Sequence, residues 1–399
     1  MKILILTNKM PYPPIDGGSI ATMNMITGLH RAGNQITCMA LNTNKHQFPV
    51  KDIPVNLSKN IRFIGIDCDT SIMPFRLLLN LLLSREAYIA ERFHINAFRK
   101  ELHGLLKDEN FDIIQLEGPY PGQYLDLIRK LSRARISLRA HNVEHLIWER
   151  QALHERSLLR KWYLNNMARR LQHIELGLVS RVDILVPISD TDASYFREKG
   201  VQVTSFTTPA GLCMNEYPFT ELPEEESIFF IGALDWLPNQ EGLNWFLQEV
   251  FRRLLDERPE LKFHVAGRNA SGDFERKLRH PNIIYYGEVE NARRFIQSHR
   301  IMVAPLLTGS GMRIKILEGM ALGRPVLTTS AGIEGIPAVN KQHVVVEDDP
   351  DLFASQLLKL LAETEDARAM VREARKFIEG HFDTFELTER LSHFYERGN

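Results

Sequence analysis

The chain has 399 residues, room for two domains of ordinary size, and its 44% hydrophobic and 25% charged content excludes a disordered, collagenous or coiled-coil protein. Its three cysteines, Cys38, Cys68 and Cys213, are too few and too far apart for a disulfide framework or a cysteine zinc site, which points to a reducing compartment. The formal net charge of −1 argues against a nucleic-acid partner, yet residues 1–205 carry 27 Lys+Arg against 20 Asp+Glu and the remainder 22 against 30. A basic half beside an acidic half suits a phosphate, a membrane surface or an acidic saccharide on the basic side.

Residues 1–7, MKILILT, are too short for a signal-peptide core, and no apolar stretch approaches the length of a membrane span. A cytoplasmic protein is expected. Short apolar runs predict strands at 2–7, 35–41, 61–66, 112–116, 135–140 and 183–188, then at 227–231, 261–266, 282–286, 300–305, 325–329 and 342–346. They are continuous rather than alternating, as expected of parallel strands covered on both faces. Helical patterns lie between them, among others at 19–31, 123–131, 242–257 and 312–322. The βαβα order predicts an α/β chain of two Rossmann-like domains facing each other across a cleft, divided by the irregular segment 206–226. In such sheets ligands bind beyond the carboxyl ends of the strands, so the residues following each strand are the ones to read.

After the first strand, Asp16-Gly17-Gly18 opens a helix. Paired glycines admit a ligand close to the backbone, and a helix N-terminus offers N–H groups to an anion. The pattern is not the GxGxxG dinucleotide fingerprint, so a nicotinamide cofactor is not indicated. Glu117 ends the fourth strand, and His141 and Asn142 follow the fifth, where an acceptor or a proton carrier would stand. His141-x-x-Glu144-His145 also matches the inverted zinc-protease pattern, but that motif needs both histidines on one helix and His141 terminates a strand.

The densest signal follows the strand at 300–305. Gly309, Ser310 and Gly311 introduce a helix carrying Arg313, Lys315 and Glu318. Small residues at a helix N-terminus with two cations suit a diphosphate, because N–H groups, helix dipole and fixed charge converge there. Glu318, about a turn further on, is placed to accept hydrogen bonds from two ribose hydroxyls.

The segment GSGMRIKILEGMALGRPVLTTSAGIEGI resembles the nucleotide-binding motif of retaining glycosyltransferases of the GT-B fold. PYPPIDGGS is similar to that family's first glycine loop, VPISD to its strand-to-helix step, and FFIGALDWLPNQEGLNWF to the opening of its second domain. The DWxPN and GSGxRxK variants resemble the branch associated with bacterial exopolysaccharide and lipopolysaccharide assembly. The resemblance implies an acceptor domain at 1–205, a nucleotide-sugar domain at 206–380 and a closing helix within 381–399 that crosses back to the first. It implies a UDP- or GDP-sugar donor, a saccharide or lipid-linked acceptor, no metal or other cofactor, and contact between His141 and the donor sugar.

The chain departs from the pattern in two places. Many relatives carry a Glu eight positions before the ribose-binding Glu, where this chain has Ser310. Many also carry Arg and Lys after the second domain's first strand, where Ala233 and Pro238 or Asn239 stand here. Arg313 and Lys315 are expected to supply that charge, with Arg268 a lesser contributor. Three alternatives stay open: a sugar-nucleotide epimerase of the same fold, a catalytically silent nucleotide-sugar-binding subunit, and a zinc hydrolase.

One further segment, IMPFRLLLNLLL at 72–83, lies beside Arg76, Arg85, Arg92, Arg99 and Lys100. It reads either as a buried helix packed under the first sheet or as an interfacial segment attracted to anionic lipid.

Overall fold

The computed structural model describes all residues except 85, 156, 309, 310, 363 and 399, and omits the side chains of His154 and Thr364. Two compact units result, one of residues 1–211 with 384–399, the other of residues 212–383. The first holds seven parallel strands: β1 (Lys2–Thr7), β2 (Gln35–Thr43), β3 (Ile61–Cys68), β4 (Ile113–Glu117), β5 (Arg135–Ala140), β6 (Ile184–Pro187) and β7 (Thr204–Ser205), in the order β3-β2-β1-β4-β5-β6-β7. The second holds six: β8 (Ser227–Ile231), β9 (Lys262–Ala266), β10 (Ile283–Tyr285), β11 (Ile301–Ala304), β12 (Val326–Thr328) and β13 (Val345–Val346), in the order β10-β9-β8-β11-β12-β13. Each order reverses once, between β1 and β4 and between β8 and β11. At such a reversal two neighbouring connections leave for opposite faces of the sheet and open a crevice.

The strands are apolar throughout because helices cover both sides. In β1, Ile3 and Ile5 pack with Met23, Ile26 and Leu29 of the Gly17–Arg31 helix, whereas Leu4 and Leu6 join Leu102, Leu116 and Ile128 on the other face. The closing helix Thr384–Arg397 belongs to the first unit. Its Tyr395 hydroxyl donates to Gln115 Oε1 on β4 at 2.9 Å and bonds Ser137 Oγ on β5 at 2.7 Å.

Three sequence expectations change. The strand expected at 342–346 shrinks to two residues, because Gln342 and His343 lie in a turn, their N–H groups donating to Val339 O at 3.2 and 3.0 Å. The helix expected at 242–257 starts earlier, at Leu237, and passes through a π-helical stretch, Phe246–Phe251. Gly242 lets that helix press against the exit of β11, where a Cβ would stand 2.0 Å from Pro305 O. Lastly, residues 77–83 are not buried beneath the sheet. They form part of a Pro74–Leu83 helix whose only buried side chain is Asn80.

Candidate functional site

In the second unit, the crevice between β8 and β11 gathers side chains from two connections. Expected inside the helix at 312–322, Arg313 instead occupies the position just before it, since the helix spans Ile314–Ala321. Its backbone is extended, so the guanidinium turns back over the Trp236 ring, 5.4 Å from the centroid, and is largely buried. Lys315 lies on the helix proper. Its Nζ donates to Asn239 Oδ1 at 2.8 Å and stands 4.2 Å over the Phe230 ring at the end of β8. Asn239 is oriented by its own Nδ2, which donates to Ala233 O at 2.8 Å. Gly232 keeps the space open, because a Cβ there would meet Asn239 Nδ2 at 2.8 Å and Lys315 Nζ at 3.1 Å.

Two cations thus share a site floored by aromatic rings. Burial, with the Arg313 charge adding to it, pushes the Lys315 ammonium down to about 7. Bringing an anion there would relieve both effects, since desolvation and a like charge each disfavour the protonated amine.

Glu318 is one helical turn beyond Lys315, and its Oε1 accepts from the Tyr217 hydroxyl at 2.9 Å. Among the described residues, Oε2 accepts no hydrogen bond, so one carboxylate oxygen is held and the other is open to a ligand hydroxyl. Burial pushes this carboxyl above its usual range, against the Tyr217 hydrogen bond and the charge of Arg293. Arg293 itself stacks 4.5 Å over the Tyr217 ring and pairs with Glu216. Arg268 follows β9, and its carbonyl accepts from Leu234 N at 2.8 Å, which places it on the connection next to Gly232–Trp236. Gly311 takes a positive φ of 81°, while Gly309 and Ser310 lie outside the described residues.

In the first unit, the crevice between β1 and β4 is built around Glu117. Its Oε2 accepts from His141 Nε2 at 2.7 Å and Thr22 Oγ1 at 3.2 Å and faces Arg139 Nη1 at 3.4 Å, while Oε1 accepts from Gln115. Burial alone would raise this carboxyl, but the Arg139 charge and the bonds from His141 and Gln115 hold it down to about 2. Glu117 is therefore ionised and enclosed, and it fixes one ring nitrogen of His141. The His141 side chain remains 22% exposed, with Asn142 next to it in the loop after β5.

At Gly17 and Gly18 the helix does begin, but its N-terminus is already occupied. Asp16 Oδ1 accepts from Ser19 N at 2.8 Å and Lys9 Nζ at 2.6 Å, and Oδ2 faces His46 Nε2 at 3.1 Å. The carboxyl stays well below its usual range, burial being outweighed by His46 and Lys9. Of the N–H groups expected to meet an anion, that of Ser19 is taken by the cap, leaving those of Gly17 and Gly18.

The zinc alternative loses its geometric basis. His145 lies in the Glu144–His154 helix with Nδ1 on Glu175 and Nε2 2.6 Å from the Tyr195 hydroxyl, whereas His141 is held by Glu117. Sequence reading missed Tyr217, Trp236, Phe230, Lys9 and His46. Phe230 and Trp236 stand within the FFIGALDWLPNQEGLNWF stretch that carries the resemblance; Tyr217, Lys9 and His46 gave no signal.

Residues 225–363, inside the second unit, match the family of glycosyl transferases group 1. Over its full length the chain is similar to an uncharacterized 44.6 kDa protein in the cps region of Klebsiella pneumoniae, 22% identical over 398 residues, covering 96% of this chain and 97% of that protein. Sucrose-phosphate synthase from Thermosynechococcus elongatus superposes with a TM-score of 0.72 at 16% identity, covering 100% of this chain and 99% of the other. Alr3699/HepE of Anabaena, solved in complex with UDP-glucose, superposes with a TM-score of 0.67 at 12% identity, covering 100% of both chains. The structural likenesses establish the two-domain, Rossmann-like α/β fold. The group 1 match, over residues 225–363, supports a glycosyltransferase.

Proposed function

We propose that the chain is a retaining glycosyltransferase that moves a sugar from a UDP- or GDP-sugar to a saccharide or lipid-linked saccharide acceptor in cell-surface polysaccharide synthesis. The observation that carries this reading is the Arg313–Lys315 pair at the β8/β11 crevice, with Glu318 one turn beyond. The UDP-glucose bound to the Anabaena protein supports the donor class, and the cps-region relative supports the polysaccharide setting.

In this scheme Arg313 and Lys315 bind the donor diphosphate and Glu318 Oε2 the ribose. As the glycosidic bond breaks, the leaving nucleoside diphosphate gains negative charge, and donors already aimed at it lower the barrier. Loss of one such donor costs ~3–4 kcal/mol, by analogy with oxyanion holes. His141, positioned by Glu117, acts at the donor sugar, and Asn142 lies on the acceptor side. Retention through a covalent glycosyl–enzyme would need a carboxylate nucleophile at the sugar. Glu117 is enclosed by Arg139, His141, Gln115 and Thr22, which favours a same-face displacement instead. Gly17, Gly18 and Gly311 admit the substrate close to the backbone, and Arg268 adds charge beside the diphosphate.

The test is nucleoside diphosphate release from a panel of nucleotide sugars, with and without saccharide acceptors. Acceptor-dependent release, with the product's anomeric proton coupling unchanged from the donor's, is the expected result. An epimeric nucleotide sugar formed without acceptor would indicate an epimerase, and binding without turnover a silent subunit.

A further inference from the structure

The Pro74–Leu83 helix is inside out. Phe75, Leu78, Leu79, Leu82 and Leu83 follow the i, i+3, i+4, i+7, i+8 spacing that ordinarily marks a core-facing stripe. Here that stripe faces solvent, with Phe75, Leu82 and Leu83 exposed at 72%, 70% and 81%. The buried side chain is the polar one. Asn80 donates to Glu86 O at 3.1 Å and to Glu91 Oε2. Arg170, from the Leu158–Val179 helix, caps the same turn by donating to Asn80 O at 3.2 Å and Leu81 O at 3.0 Å. Polar contacts therefore hold this orientation, and among the described residues the apolar face is left mostly uncovered.

A second set of exposed apolar residues lies on the arm that carries Arg170. Leu158, Leu159 and Trp162 begin that helix, and Leu153 ends the helix before it. Trp162 is about 12 Å along the helix from Arg170 at 1.5 Å per residue, so both sets belong to one corner of the first unit.

Charge says what covers this corner. Among the described residues, 72–100 and 150–170 together contain 9 Lys+Arg and 3 Asp+Glu, an excess of six. Arg76 and Arg160 are exposed beside the apolar side chains. A second copy of this chain, docked face to face, would set these cations against each other. Anionic lipid would pair with them while its acyl region takes up the leucines, the combination by which amphipathic helices lie in a membrane interface.

We propose that the exposed faces of the Pro74–Leu83 helix and of the Leu158–Val179 helix start form a docking surface for an anionic lipid bilayer, onto which the first unit lies without spanning it. Among the described residues no helix is long and apolar enough to cross a membrane. The proposal does not depend on which reaction the chain performs.

The experiment is flotation of the full chain with vesicles of phosphatidylglycerol and phosphatidylcholine, against vesicles of phosphatidylcholine alone. Binding is expected only to the anionic vesicles and should weaken as salt is raised. Arg76→Gln should lower the partition coefficient about five-fold. Phe75→Ser with Leu82→Ser should lower it roughly a hundred-fold. Both variants should melt within a degree or so of wild type, because the altered side chains are mostly exposed in the folded chain. The proposal is overturned if the full chain stays unbound to anionic vesicles at low salt. It is equally overturned if wild type self-associates and Phe75→Ser with Leu82→Ser abolishes that association, since a second copy would then cover the face.

Discussion

Lys315 and Asn239 meet at the reversal of the second sheet, with Nζ 2.8 Å from Oδ1, one residue from the helix after β11 and the other from the helix after β8. Two connections that leave on opposite faces are tied together where a ligand of this fold would sit. Because burial and Arg313 bring this amine down to about 7, binding of an anion there takes up a proton over the neutral range. Nucleoside diphosphate affinity should fall as pH rises through about 7, by at most about ten-fold per unit. Titrations at several pH values check this. Lys315→Met should flatten the profile, and an unchanged slope in that variant would place the proton uptake elsewhere.

Glu318 offers one oxygen to a ligand while Tyr217 holds the other. Glu318→Ala removes a charged acceptor worth ~1.5–3 kcal/mol. Affinity for a ribonucleoside diphosphate should drop roughly ten- to a hundred-fold, with a smaller loss for the 2′-deoxy counterpart, which keeps only the 3′-hydroxyl. Equal losses for both nucleotides would remove the ribose from the account.

His141→Ala should cut turnover strongly and leave nucleoside diphosphate binding intact, because its contacts lie with Glu117 in the first unit. Glu117→Gln is a different experiment. It leaves Arg139 buried without its counter-charge, a loss of ~3–5 kcal/mol for a broken buried pair, so the melting temperature should fall together with activity. Should Glu117→Gln melt like wild type, the buried pair contributes little and Glu117 serves mainly to orient His141.

Two groups cost the fold stability in acid, while Glu144, raised by burial and the neighbouring Glu175 to about 7, adds stability as pH falls from about 7 to 4.5. His264 packs tilted against His299 with ring centroids 4.1 Å apart, and burial, then the neighbouring His299, pushes its pKa down to about 4. The unfolded chain binds this proton first, so stability is intact above about 6.5 and is lost as pH falls towards 4. Glu117, held at about 2, adds a second loss as pH falls from about 4.5 to 2, since its ionised form is the one the fold favours. Calorimetry across pH checks both. His264→Phe should reduce the loss in the upper window, to which His299 also contributes, and leave the lower one.

The sequence carried the strands well, since β1, β5 and β8 begin and end where their apolar runs do. An apolar run flanked by turn residues has one way to lie in a covered parallel sheet. The start of β13 was not legible, because Gln342 and His343 turn back onto Val339 O and apolar periodicity does not register such bonds. Arg313, Lys315 and Glu318 were legible as a group because they are consecutive on one connection. Asn239 was legible as a donor-side residue but not as the partner of Lys315, and the aromatic partners were not legible, since Tyr217, Phe230 and Trp236 lie some 75–100 positions away and meet them only in the fold. The Pro74–Leu83 helix shows the limit from the other side. Its spacing identifies an apolar stripe, but only the anchoring of Asn80 by Glu91 and Arg170 decides which way the stripe turns.

The central claim, that the β8/β11 crevice of the second unit holds a nucleoside diphosphate, is tested most directly by calorimetric titration of UDP and GDP into the full chain and into an Arg313→Ala, Lys315→Met variant. One nucleotide should bind per chain in wild type. In the variant, affinity should fall roughly a thousand-fold, as expected for the loss of two charged donors at ~1.5–3 kcal/mol each, with the fold intact by circular dichroism. Wild-type affinity in the folded variant would contradict the account.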